Sequence, residues 1–177
     1  MHRRIALIPF LVLFAGSAVA QMGGPPSPEV KKLDYFVGTW TTEGTIPQGP
    51  WGTGGRFTGT ATNEWLPGNF FVQSQSDSKM PPEIGGASKA MMVMGYDNQQ
   101  NVYTSDRFSS LGQHETSKGT MSADTWTWTS SSNYGGMEIQ GKMTIKALSP
   151  TSYTFKYEIS MDGKNWMPFM EGKATKK

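Results

Sequence analysis

The sequence predicts an all-β protein: an antiparallel meander of roughly ten strands that closes into a barrel, with one short helix before the first strand. Two observations predict it. Apolar and polar residues alternate with a period of two in most runs after Thr39. Turn residues such as Pro67-Gly68-Asn69 and Asp162-Gly163 separate these runs at short intervals. We expect the sheet to close because closure leaves no unpaired edge.

The first twenty residues have the three parts of a secretory signal peptide. Arg3 and Arg4 form a basic segment, residues 5–14 are mostly apolar, and Ala18-Val19-Ala20 is a small-residue cleavage signal. We expect cleavage near Ala20, export to the periplasm or the extracellular space, and no membrane anchor in the mature chain. Residues 21–28 are rich in glycine and proline and are predicted to be a flexible leader, which leaves 29–177 as a single barrel domain.

Composition excludes several classes of protein. The 177 residues include no cysteine, which excludes disulfides, thiolate metal sites and a cysteine nucleophile. The formal net charge is +2, and it falls to zero when Arg3 and Arg4 leave with the signal peptide. Nucleic acid requires a basic surface, so we expect no nucleic-acid partner. The oligomeric state is left open by the sequence.

One helix is predicted, over residues 29–36. Val30, Leu33 and Phe36 recur at three- to four-residue spacing, which is typical of a helix with one buried face, and Gly38 ends it. The predicted strands then follow near 39–46, 55–66, 69–78, 88–97, 101–110, 113–121, 124–132, 137–148, 151–161 and 164–174.

Aromatic side chains are the residues of the predicted strands that say most about the interior of the barrel. Eight of them fall on alternating positions: Trp40, Trp65, Trp126, Trp128, Tyr153, Phe155, Tyr157 and Trp166. Ten strands make a barrel wider than the eight-stranded type that side chains can fill, so inward-facing rings would line a cavity. The alternative is a flattened barrel that is packed solid. Two long loops, 47–55 and 79–88, each join neighbouring strands and are expected at one rim.

A short helix followed by Gly38-Thr39-Trp40 resembles the opening of calycin-type barrels, the group that includes lipocalins and nitrobindin-like proteins. In such a barrel the helix closes one end and the tryptophan plugs the base. The chain as a whole resembles the bacterial domain-of-unknown-function 1579 family over roughly residues 30–172. The segments that carry this resemblance are 33–40, 65–71, 94–98 with Tyr103, and 117–119. Membership implies a calycin-like barrel and no established activity.

We expect the cavity to bind a small hydrophobic or amphipathic molecule without turning it over, and without a cofactor or a metal ion. The candidate ligand-binding residues are Trp40, Trp65 and Tyr96 for apolar area, Arg107 for an acidic group, and His114.

His114 is the only histidine that remains after processing, and the alternative functions depend on it. One alternative is a hydrolase or isomerase that uses the same cavity, with His114 as base and Asp106 or Glu115 as its orienting partner. A second is haem binding, because nitrobindin-like barrels hold haem through a histidine. A third is a ligand-free structural domain. The methionines at 91, 92 and 94 favour core packing over a Cu(I) site.

Overall fold

Ten antiparallel strands form one closed barrel in the computed structural model, which describes residues 24–50, 52–134 and 137–177. Each strand pairs with its neighbours in sequence, and β1 pairs with β10 to complete the circle. The strands are β1 (Gly38–Ile46), β2 (Gly55–Trp65), β3 (Val72–Lys79), β4 (Ala87–Asp97), β5 (Val102–Ser109), β6 (His114–Ser122), β7 (Thr125–Tyr134), β8 (Met137–Ser149), β9 (Ser152–Ser160) and β10 (Met167–Lys176). The predicted all-β barrel is confirmed. The predicted signal peptide lies outside the described residues.

The predicted helix is confirmed as two short consecutive pieces, α1 (Pro28–Lys31) and a 3₁₀ segment (Lys32–Phe36). The Ser27 hydroxyl accepts the backbone N–H of Val30 at 3.4 Å and so caps the first turn. Gly38 then has a φ of +116°, in the region that favours glycine, and this lets the chain turn from the helix directly into β1.

One carbonyl oxygen of the helix, that of Phe36, accepts two hydrogen bonds from the barrel. This oxygen accepts the indole N–H of Trp40 at 2.7 Å and the amide N–H of Asn63, also at 2.7 Å. Trp40 is on β1 and Asn63 is on β2, so one backbone group joins the helix to two neighbouring strands. Trp40 is 1% exposed, and the helix with its bound tryptophan closes this end of the barrel.

Side chains fill the barrel next to the helix. Tyr35 stacks on Trp126 with ring centroids 5.2 Å apart, and Phe36 meets the same indole edge-on at 5.0 Å. Such arrangements add to the energy of area burial, since the positive ring edge meets the negative ring face. The buried residues of this cluster are Leu33, Phe36, Val72, Met94, Tyr103, Trp126 and Trp128.

Inward-facing glycines make room for the large rings. Each lies directly across from an aromatic residue on a neighbouring strand, and a Cβ on the glycine would fall 2.7–2.8 Å from the ring. The pairs are Gly119 with Trp128, Gly44 with Phe57, and Gly172 with Phe155. The ring therefore rests on the backbone of the neighbouring strand, a contact that any other residue would block.

Two predicted strands start three residues later than expected, and the first of them, predicted at 69–78, begins at Val72. The strand predicted at 164–174 begins at Met167, because Asp162 Oδ1 accepts two backbone N–H groups of the following turn at 2.8 and 2.7 Å. Trp166 precedes the strand, and its ring lies 4.4 Å from Lys142 Nζ on the outer face of the barrel. Trp166 is therefore on the outer face and is not one of the rings that line the interior.

Replacing Trp40 by alanine should lower the free energy of unfolding by about 3–5 kcal/mol, since it deletes a buried ring and leaves a cavity. Urea unfolding measures the change. The control is Thr60→Ala, at an exposed position on the outer face of β2, which should stay within about 0.5 kcal/mol of the wild type. Equal losses in the two variants would contradict the role of Trp40 as the plug of this end.

Gly119→Ala should lower the free energy of unfolding by about 1–3 kcal/mol, because the added Cβ would be 2.7 Å from the Trp128 ring. The control is Gly49→Ala, where a Cβ would have no heavy atom within 4 Å. Thermal unfolding followed by circular dichroism compares the two. An unchanged midpoint in Gly119→Ala would show that the Trp128 ring does not rest on this strand.

Candidate functional site

The interior of the barrel differs between its two ends. The end next to the helix is filled, and the loops 47–54 and 80–86 lie at the opposite rim, as the sequence predicts. These two loops contact each other: the Thr53 hydroxyl donates to Glu83 Oε1 at 2.7 Å. We call the half of the interior on their side the lumen.

One side of the lumen is apolar. Its buried residues are Ile46 on β1, Phe57 on β2 and Phe155 on β9. Partly buried side chains pack on these three, and the nearest to the rim come from the β3–β4 loop and from β10: Met80, Ile84 and Met170. We call these residues the apolar wall.

The other side of the lumen is polar and is built from β3, β5, β6 and β7. Its inward positions carry hydroxyl groups and two charges: Ser74, Ser76, Ser105, Arg107, Glu115, Ser117 and Ser130. The alternation is fixed by buried neighbours on the same face, Tyr103 before Arg107 and Gly119 after Glu115. We call these residues the polar wall.

Solvent reaches the polar wall. Arg107, Glu115, Ser117 and Ser130 are half-buried, although they point away from the outer surface of the barrel. An inward side chain of a closed barrel keeps solvent contact only when the interior beside it is not filled. Ser74 and Ser105, nearer the helix, are buried, so the lumen is open to solvent along the part of the polar wall nearer the rim.

The pKa of Tyr157 depends on the two charged residues of the polar wall. It is an inward residue of β9, beside the Ser130 hydroxyl, and burial raises its pKa to about 12. The Glu115 carboxylate also raises this pKa, and the Arg107 guanidinium lowers it. Since β9 is three strands away from β6 around the barrel, these charges act on the phenol across the lumen.

Three of the five candidate ligand-binding residues lie together at the closed end. Trp40 is the buried plug, the Trp65 indole N–H donates to Asp34 at 3.1 Å, and the Tyr96 ring is 4.9 Å from the ring of Tyr103. All three contact the helix or its cluster. They contribute to the floor of the barrel and not to the walls of the lumen.

His114 and Arg107 lie on opposite faces of the sheet. Arg107 is part of the polar wall, whereas His114 is exposed on the outer surface, because β6 directs its even positions outward. His114 Nε2 is 3.1 Å from Asp106 Oδ1, and its ring stacks on Phe108. Hydrogen bonds from Thr116 and then from His114 hold the pKa of Asp106 below its usual value. The alternatives in which His114 is a base or a haem ligand need it inside the cavity, whereas its side chain is on the outer surface.

Glu115 and Tyr157 are the lumen residues that sequence reasoning did not assign to the site. Glu115 was expected only as a partner of His114, and the two are neighbours in sequence on opposite faces. Gly119, buried beneath Trp128, carries the signal that places Glu115 inward, since the two are separated by an even number of residues. The sequence alone does not show that Gly119 faces the interior of the barrel.

A shallow depression lies outside the barrel. Its volume is about 540 Å³, and it lies on the outer face of β10, β1, β2 and β3. Threonines and charges of both signs line it, among them Thr41, Thr60, Asp77 and Lys173. It is an open surface groove with no aromatic residue in its lining, and it is separated from the lumen by the sheet.

Among the described residues, no group of three histidine, aspartate or glutamate side chains is arranged to hold a metal ion. In the same part of the chain, no helix has the length and apolar character needed to cross a bilayer.

A ten-stranded antiparallel barrel with a plugging helix and a Gly-x-Trp entry into its first strand is a calycin-like barrel. The chain belongs to the family described as protein of unknown function DUF1579, whose model matches residues 25–176. No curated protein matches the sequence. The resemblance expected from the sequence is thus confirmed for both the family and the fold.

Solved structures share the fold at low sequence identity. Rv2717c from M. tuberculosis has a TM-score of 0.62 at 8% identity, with 86% of this chain and 99% of that chain covered. The S-type phycobiliprotein lyase CPES from Guillardia theta has a TM-score of 0.57 at 8% identity, with 83% and 91% covered. EF1p2_mFAP2b bound to DFHBI has a TM-score of 0.44 at 12% identity, with 84% and 98% covered. At such identities the likeness concerns the fold alone.

Glu115→Gln should lower the pKa of Tyr157, because it removes a negative charge that opposes ionisation of the phenol, and Arg107→Gln should raise it. Alkaline titration of ¹³Cζ-labelled tyrosine followed by NMR measures both shifts. The control is Tyr153, whose pKa burial also raises to about 12 and which should not respond to either variant. Circular dichroism limits the titration to the range in which the barrel stays folded. Shifts of one sign in both variants would contradict the arrangement across the lumen.

Proposed function

We propose that the lumen binds one small amphipathic molecule without chemical turnover. The observation that carries this proposal is the pair of unlike walls, with Phe57 and Phe155 on one side and Arg107 and Glu115 on the other. Ligand sites of proteins combine a mostly apolar lining with a few placed polar groups. A molecule with an apolar body and a polar head would match both walls at once.

The position of His114 favours binding over catalysis in this lumen. A general base has to lie within hydrogen-bond reach of the proton that it removes, and His114 is on the far side of the sheet from the lumen. A haem ligand inside the barrel would have to face inward too. Both alternatives that depend on His114 are weakened for the same geometric reason.

We also propose that the protein works after export. The basic segment, apolar run and Ala18-Val19-Ala20 signal support cleavage near Ala20, and the barrel domain would then act in the periplasm or outside the cell, where it meets its ligand. Residues 21–28 would be the leader of the mature chain.

A neutral environment-sensitive dye such as Nile red should bind to the mature protein with saturation near one molecule per barrel. Ser76→Trp places a large ring in the lumen and should abolish this binding. Gln75→Trp places the same ring on the outer face of the same strand and should leave it unchanged. His114→Ala should also leave it unchanged. Fluorescence titration measures the affinity and the stoichiometry of each variant.

Two outcomes would overturn the proposal. One is dye binding that survives Ser76→Trp, which would place the dye outside the lumen. The other is its loss in His114→Ala together with a haem-type absorption band of the wild type. Because Ser76→Trp adds a large group, Ala90→Phe on β4 provides a second block of the lumen, and circular dichroism verifies that both variants fold.

A further inference from the structure

Arg107 and Glu115 stand directly opposite each other on neighbouring strands. The register of β5 and β6 pairs them, and both point into the lumen. Their Cβ atoms are therefore about 4.5–5.5 Å apart. Opposite charges at such positions commonly form an ion pair.

The two head groups nevertheless do not bind each other. None of the ion pairs or side-chain hydrogen bonds among the described residues includes Arg107 or Glu115. By contrast, exposed residues on the outer face do form cross-strand pairs, such as Lys89 with Asp77 at 3.0 Å. The polar wall thus presents one guanidinium and one carboxylate, side by side and half-buried.

Among the described residues, no further charged side chain points into the lumen beside this pair. Ser105 and Ser117 follow along the same two strands, and Met92 lies across from Arg107 on β4. On the far side of the lumen, the phenol of Tyr157 is neutral at physiological pH because its pKa is about 12. The site therefore has zero net charge and two separate poles.

We propose that Arg107 and Glu115 bind a zwitterionic ligand, with the ligand's carboxylate on Arg107, its ammonium group on Glu115, and its apolar body against the apolar wall. This inference rests on the proposed function, since it names the class of ligand that the lumen takes. A ligand with a single net charge leaves one pole of the site without a partner, which costs binding energy in a partly desolvated position. A zwitterion of the α-amino-acid type satisfies both poles with one head group.

A matched series of indoles tests the charge requirement. Indole, indole-3-acetate, tryptamine and tryptophan share one apolar body and carry no charge, a carboxylate, an ammonium group, or both. Isothermal titration calorimetry of the mature protein should give the highest affinity for tryptophan, by about tenfold over each singly charged compound, since a hydrogen bond to a charged group contributes about 1.5 kcal/mol or more.

Two variants test which of the two residues binds the ligand's carboxylate and which binds its ammonium group. Arg107→Gln should weaken tryptophan and indole-3-acetate by about tenfold and leave tryptamine unchanged. Glu115→Gln should weaken tryptophan and tryptamine and leave indole-3-acetate unchanged. Circular dichroism verifies that both variants fold, and binding of Nile red, which has no charge, to the wild type is the control for an open lumen.

The outcomes separate this inference from the proposed function. Equal affinity for all four indoles, or a loss that is the same for both singly charged compounds in each variant, overturns the zwitterion site while normal Nile red binding leaves the lumen proposal intact. Binding of indole-3-acetate as tight as that of tryptophan, with no effect of Glu115→Gln on the affinity for tryptophan, indicates an anion site and also overturns it. Failure of Nile red and of all four indoles to bind overturns both proposals.

Discussion

The carbonyl oxygen of Phe36 organises the closed end of the barrel. It accepts two hydrogen bonds of 2.7 Å, from Trp40 on the first strand and from Asn63 on the second. A 3₁₀ segment leaves its last carbonyls without helical partners, and here the orphan group is satisfied by the sheet. The bond to Trp40 also sets the indole flat in the floor, where a buried N–H without a partner would be costly. One acceptor thus joins the helix to the floor and to the start of the meander, and further bonds from Trp65 to Asp34 and from Tyr35 to Ser152 hold the helix in place.

The floor explains why the interior is filled at one end and open at the other. Rings from the helix and from β7 and β9 occupy the interior next to Phe36, and inward glycines such as Gly119 give them room. Toward the opposite rim the inward positions of β5 and β7 change from aromatic residues to serine, so that short side chains replace long ones. A ten-stranded circumference is too wide for serines to fill. The open lumen follows from residue size as much as from strand number.

The chemistry of the lumen is a property of this chain and not of its fold. Structures that share the barrel do so at 8% identity, which leaves the residues of the walls free to differ. What the walls offer here is an aromatic and methionine surface facing a row of hydroxyl groups with one cation and one anion. Arg107 and Glu115 give the polar wall two half-buried charged groups that form no ion pair with any described residue.

The sequence by itself determined the architecture of this protein. Period-two alternation and turn residues define all ten strands to within three residues, and the Gly38-Thr39-Trp40 entry identifies the helix-plugged end. It also singled out Arg107 as a candidate ligand-binding residue. These features are local, since alternation, turn chemistry and helix spacing are written in consecutive residues.

Only the tertiary structure decided which face of each strand is inside. A shift of one residue exchanges the faces, and the mostly polar strand β6 has only one large apolar residue, Met121, to indicate the choice. The ring of Trp128 on Gly119, from a neighbouring strand, directs Glu115 into the lumen and His114 out of it. Tyr157 meets these charges from three strands away, a proximity that exists only because the sheet closes. Contacts across a barrel join distant segments of the chain, and no local pattern records them.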